Sequence, residues 1–67
     1  MIIRVNGEEK HFSNTVASLG ELLALLGAAA QRVAVEINGE IIDPALFAST
    51  PVQDKDKIEI VSFVGGG

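Results

Sequence analysis

The sequence has no cysteine, no tryptophan, no tyrosine and a single histidine among its 67 residues. Without a thiol it forms no disulfide and offers no thiolate to a metal, and His11 alone does not make a zinc site. Covalent chemistry on this chain therefore falls to a hydroxyl, a lysine, a carboxylate or a chain end. Positive charge is also scarce. The formal net charge of −4 argues against a phosphate backbone as the main ligand and suits a basic protein partner. No window approaches the roughly 18 apolar residues of a membrane span. Met1-Ile2-Ile3-Arg4 lacks the basic start and apolar run of a signal peptide. These features lead us to expect a cytoplasmic protein that binds neither membrane nor nucleic acid. There is no length for a second core, and a chain of this size buries only about 60% of its unfolded surface. What compensates is a hydrophobic content of 48%, mostly Val, Ile, Leu and Ala, which predicts a small aliphatic core.

The chain opens with the β-rich run Ile2-Ile3-Arg4-Val5, then Asn6-Gly7, the dipeptide suited to the two positive-φ positions of a type I′ hairpin. A return strand from Glu8 to Phe12 follows, with Lys10 and Phe12 on one face and Glu9 and His11 on the other. His11 reads as an exposed strand residue, since no second histidine or cysteine exists to share a metal. After the loop formers Ser13, Asn14 and Thr15, Ser18 is placed to cap a helix and Glu21 to complete a capping box. Leu19, Leu22, Leu23 and Leu26 then share one helix face, read as core, and Gly27 ends the helix. Val33, Val35 and Ile37 alternate on a buried face before a second Asn-Gly turn at Asn38-Gly39. The short strand Glu40-Ile41-Ile42 ends at Asp43-Pro44, where a helical turn starts with Pro44 in its first position and Leu46 and Phe47 are expected to close the core. Asp54 and Asp56 have no third ligand at fixed spacing, and Ser49 to Lys57 reads as a solvated turn rather than a metal loop.

The last strand, Ile58 to Val64, runs directly into Gly65-Gly66-Gly67. Ile58 and Ile60 continue the inward face, while alternation places Val61 and Phe63 outward, an apolar pair that either seals against something or marks a partner site. A glycine-rich end also describes a frayed terminus, yet a flexible linker would be mixed with serine and longer. Three glycines make a thread thin enough for a narrow passage and able to reach about 10 Å past the strand. The chain thus divides into a domain over residues 1–64 and a flexible tail over 65–67, with the Gly67 carboxylate as the reactive group. The order hairpin, helix, hairpin, helical turn, strand predicts an α+β fold of the β-grasp, ubiquitin-like type. In it a single mixed sheet of four to five strands packs on one α-helix, with the first and last strands side by side.

Val5-Asn6-Gly7, Val35-Glu36-Ile37-Asn38-Gly39, Asp56-Lys57-Ile58-Glu59-Ile60-Val61 and Phe63-Val64-Gly65-Gly66-Gly67 together resemble the sulfur carrier family of thiamine biosynthesis, ThiS. The resemblance spans essentially the whole chain. It departs at Lys55-Asp56, where that family usually has a turn of Gly-Asp type. The resemblance implies a protein co-substrate rather than an enzyme, with no cofactor of its own. An E1-like activating enzyme using ATP and Mg would adenylate the Gly67 carboxylate, and sulfur from a donor such as a cysteine desulfurase would convert it to a thiocarboxylate. Thiazole synthase would then accept the sulfur. Gly65 and Gly66 would thread the tail, and Val61, Phe63 and Val64 would dock the domain on its partners. The same residues also fit the small subunit of molybdopterin synthase, a carrier for cysteine biosynthesis, or a ubiquitin-like protein modifier or binding module. The short length and the triple glycine favour the thiamine branch over the molybdopterin one.

Overall fold

The computed structural model describes residues 1–28 and 32–63; Val64 and the glycines Gly65, Gly66 and Gly67, on which several sequence expectations fall, lie outside the described residues. Five strands, β1 (Ile2–Val5), β2 (Glu8–His11), β3 (Val33–Ile37), β4 (Glu40–Ile42) and β5 (Lys57–Ser62), form one sheet. Their order is β2-β1-β5-β3-β4. β5 runs parallel to β1 and antiparallel to β3, and the outer strands are added by the two hairpins. This is the expected mixed sheet with first and last strands adjacent, packed on the one α-helix among the described residues, α1 (Leu19–Leu25).

Both hairpins turn as their sequences require. Asn6 and Gly7 have φ of 51° and 80°, and Asn38 and Gly39 have 52° and 87°, the paired positive values of a type I′ turn. Helix α1 is closed at both ends by its own sequence. The Ser18 hydroxyl accepts the Glu21 N–H at 3.1 Å. Glu21 reaches back to the Ala17 N–H at 3.3 Å rather than to that of Ser18, so the expected capping box is displaced by one residue. At the far end the Gly27 N–H bonds the Ala24 carbonyl and the Ala28 N–H that of Leu23. With Gly27 at φ 73°, this pair of bonds is a Schellman motif.

The core lies between helix and sheet. Ile3 and Val5 from β1, Val33, Val35 and Ile37 from β3, and Ile58 from β5 meet Leu19, Leu22 and Leu23 of α1, with Val16, Phe47 and Val52 filling the end. Leu26 packs at the margin. The segment Pro44–Ser49 is a 3-10 helix with Pro44 at its start and Asp43 accepting the Ala45 N–H. It sends Phe47 inward but leaves Leu46 53% exposed, contrary to the expectation that both close the core. With three residues per turn, adjacent side chains of a 3-10 helix point about 120° apart, so one surface cannot bury both.

The turn before β5 is less solvated than its charge suggested. Asp54 is exposed and accepts the Ile2 N–H at 2.7 Å. Asp56, in contrast, is buried, with its carboxylate accepting the Gln53 N–H at 2.8 Å and the Asn38 side-chain amide at 3.1 Å. Lys55 between them has φ 73°. That left-handed conformation is the physical reason a glycine suits this position, where the resemblance set Gly and this chain has Lys.

Candidate functional site

The candidate site is the sheet face that α1 leaves uncovered, together with the exit of β5 toward the tail. Along β5 the alternation is as expected: Ile58 is fully buried under the helix, Ile60 packs against the core margin, and Val61 points to the open face. The strand ends at Ser62, so Phe63, expected within it, lies just past its end. Its pairing continues, because the Phe63 N–H donates to the Arg32 carbonyl at 2.8 Å. Val61 and Phe63 are 60% and 57% exposed, so both expected docking residues stand on the surface. Val64 and the glycines of the tail are among the undescribed residues.

The register of β5 against β3 sets what surrounds that pair. Val61 lies opposite Ala34, and the next outward position pairs Glu59 with Glu36. Glu36 in turn faces Ile41 of β4, which is 76% exposed. The open face therefore combines Phe63, Val61 and Ile41 with two carboxylates in adjacent strands. Among the described residues neither glutamate lies in an ion pair; the pairs present are Lys10 with Glu8 and His11 with Glu9, both at 2.7 Å on the β2 hairpin. The hydrogen bond from Lys10, and its charge, hold the Glu8 carboxyl below the usual range. His11 is an exposed strand residue, as its isolation in the sequence suggested.

Ile41, Glu36 and Glu59 were not singled out in the sequence. The Asn38-Gly39 turn fixes the pairing of Glu36 with Ile41, so that signal was available. The apposition of Glu36 and Glu59 depends on a pairing between segments joined only through the long connection from β4 to β5, and no local pattern reports it. Among the described residues there is no group of three or more His, Cys, Asp or Glu side chains placed to hold a metal, and no helix is long and apolar enough to cross a membrane.

Comparison with known proteins bears on the whole chain. The model of the ThiS family matches residues 3–67. The sulfur carrier protein ThiS of Bacillus subtilis is 35% identical over 66 residues, covering 98% of this chain and 100% of that protein. The crystal structure of the thiamine biosynthesis protein ThiS from Geobacter metallireducens superimposes with a TM-score of 0.86 at 38% identity, covering 100% of both chains. A thiazole synthase of Paramagnetospirillum magneticum is 45% identical over 67 residues, and there the chain spans only 20% of the relative's length. The family model and a full-length relative match this chain in sequence, and a full-length structural neighbour shares its fold: the chain belongs to the ThiS family.

Proposed function

We propose that the chain is the sulfur carrier of thiazole formation in thiamine biosynthesis, and that its Gly67 carboxylate carries the sulfur. A carboxylate is a poor electrophile until one oxygen becomes a good leaving group. An activating enzyme using ATP and Mg supplies one: a carboxylate oxygen attacks the α-phosphorus, pyrophosphate leaves, and an acyl adenylate remains. A persulfide from a donor such as a cysteine desulfurase then displaces AMP, and a thiol cleaves the resulting acyl disulfide to leave the thiocarboxylate. Since this chain has no cysteine, both sulfur nucleophiles belong to partners. Thiazole synthase is the acceptor in this reading.

The observation that carries it is the family match running through to Gly67 on a chain with no sulfur nucleophile of its own. Two further features support it. A protein named thiazole synthase contains a segment 45% identical to this entire chain, as expected of a carrier that acts with that acceptor. The exposed Val61 lies on β5 and the exposed Phe63 just past its end, close in sequence to the carboxylate that a docked partner would meet.

The test is intact mass after incubation with the activating enzyme, ATP, Mg and a persulfide source, beside a chain lacking Gly67. Exchange of one oxygen for sulfur in the full chain alone is the expected result. No mass change with an enzyme competent on another carrier sinks the reading, and adducts on lysines of other proteins would replace it with a protein modifier. Changing Val61 and Phe63 together to Asp should abolish binding of the activating enzyme and leave the fold intact.

A further inference from the structure

We propose that Asn6 is a positioning residue for the carrier's reaction: its side-chain amide stands in for a missing strand neighbour and fixes the course of β5 at Ile60, just before the chain leaves the sheet. This rests on the function proposed above. The backbone pairing of β1 with β5 is short, Arg4 with Lys57 and Val5 with Ile58. Its flanking bonds run from the Arg4 N–H to the Asp56 carbonyl at 3.0 Å and from the Asn6 N–H to the Ile58 carbonyl at 2.9 Å. Residues 56 and 58 thus turn their polar groups toward β1, and the next to do so is Ile60. By then β1 has turned away at Asn6-Gly7 into β2.

The Asn6 carboxamide closes that gap. Its Oδ1 accepts the Ile60 N–H at 2.6 Å, and its Nδ2 donates to the Ile60 carbonyl at 3.0 Å. Both backbone groups of one residue are held by one amide, the arrangement a β-ladder would give. On the other side β3 pairs with β5 through Val33, Ala34 and Val35. The strand is consequently held on both flanks here, by Asn6 at the backbone groups of Ile60 and by β3 at its neighbours Glu59 and Val61.

The turn alone does not account for this contact. A φ of 51° in a type I′ turn is met by Asn, Asp or Gly alike. Only a neutral carboxamide both donates and accepts, whereas Asp is an acceptor alone and Gly has neither group. Turn and grip are therefore separable by substitution. Functionally, a strand anchored at Ile60 starts the tail from one defined point while Val61 and Phe63 engage the partner. Reacting groups held in fixed relation gain rate through orientation, without any change in affinity being required. Loosening the exit should lower turnover and leave docking alone.

The experiment compares wild type, Asn6→Gly and Asn6→Asp in steady-state adenylation, followed by pyrophosphate release with the activating enzyme, ATP and Mg, at matched concentrations of folded protein. Asn38→Gly is the control: its turn has the same form and its side chain also bonds β5, but at the start of the strand, on the Lys57 N–H. Amide exchange is read in parallel without any partner. Asn6→Gly breaks both hydrogen bonds and predicts an Ile60 amide exchanging about tenfold faster and kcat lower by about three- to tenfold, with KM unchanged. Asn6→Asp keeps an acceptor for the Ile60 N–H and loses only the bond to the Ile60 carbonyl, so its Ile60 amide should exchange near the wild-type rate and its kcat should fall less. Asn38→Gly should lower stability and leave kcat at the wild-type value.

Wild-type kcat in Asn6→Gly with an accelerated Ile60 amide overturns the positioning role and leaves the function standing. Equal loss of kcat in Asn38→Gly overturns it too, since general loosening would then suffice. A wild-type chain that is never adenylated overturns the function and the role together.

Discussion

The buried carboxylate of Asp56 is the point at which the structure makes its sharpest stability prediction. Three segments meet there: the Arg4 N–H of β1 bonds its carbonyl, the Gln53 N–H bonds its Oδ2, and the Asn38 amide of the β3–β4 turn bonds its Oδ1. Asp56→Ala keeps the backbone bond and removes both side-chain acceptors. A hydrogen bond to a charged group contributes about 1.5–3 kcal/mol net. Gln53 and Asn38 are themselves exposed, so water recovers part of the loss, and we expect a total near 2–3 kcal/mol. In a domain of this size that corresponds to a fall in melting temperature of roughly 10–20 °C. The assay is urea unfolding, where the midpoint should move and the m-value should not. Asn38→Gly removes one of the same bonds and keeps the positive-φ turn, so the double variant should cost less than the two single changes added together. A loss below about 0.5 kcal/mol for Asp56→Ala, or strict additivity with Asn38→Gly, would refute the idea that this carboxylate ties the turn to the hairpin.

Glu36 and Glu59 oppose one another across β3 and β5 without a cation partner among the described residues. Either Glu→Gln change should therefore stabilise the domain by about 0.2–1 kcal/mol in low salt, with the gain shrinking in unfolding experiments as NaCl screens the pair. Gly20 lies in the first turn of α1, and a Cβ there would stand 3.4 Å from the Ala48 Cα. Gly20→Ala should thus gain up to about 1 kcal/mol of helix propensity, whereas Gly20→Leu should displace the 3-10 segment and lower the urea midpoint. Lys55 has the opposite need, because its φ of 73° is strained for a side chain. Lys55→Gly should raise stability by about 0.5–1 kcal/mol despite its added freedom in the unfolded chain, and an unchanged or lower melting temperature would show that the turn tolerates lysine without strain.

How much of this was legible follows from the range of each interaction. The two Asn-Gly turns, the Ser18 cap, the leucine face and the Gly27 stop are set by residues within one turn or hairpin of one another, and local pattern carried them all. Asp56 was not legible. It sits in the charged run from Asp54 to Lys57, and it is buried because the β3–β4 turn, 18 residues away, brings an amide to it. The apposed glutamates are hidden for the same reason. Leu46 was misplaced by hydrophobicity alone, since a pattern that marks two adjacent apolar residues says nothing about which of them a 3-10 turn directs inward. At the candidate site, alternation along β5 was enough to put Val61 and Phe63 outward, while the carboxylates and Ile41 beside them needed the register.

The two Asn-Gly turns have a shared consequence for how a docking face can exist on so small a domain. Asn38 bonds the Lys57 N–H with its side chain and the Lys57 carbonyl with its backbone, while Asn6 bonds both backbone groups of Ile60 with its side chain and the Ile58 carbonyl with its backbone. Each asparagine serves once as the positive-φ residue of its turn and once as an extra rung on the central strand. β5 is thereby secured at its entry and near its exit by edge contacts in the plane of the sheet, and from beneath by Ile58. None of these contacts uses the open face. Val61, Phe63 and Ile41 can then remain exposed without the fold depending on their burial, which separates what keeps the domain folded from what a partner would bind. For this reason the Val61 and Phe63 to Asp variant is a fair test of docking: circular dichroism and the urea midpoint should stay close to wild type, and a variant that unfolded would show that the face is part of the core after all.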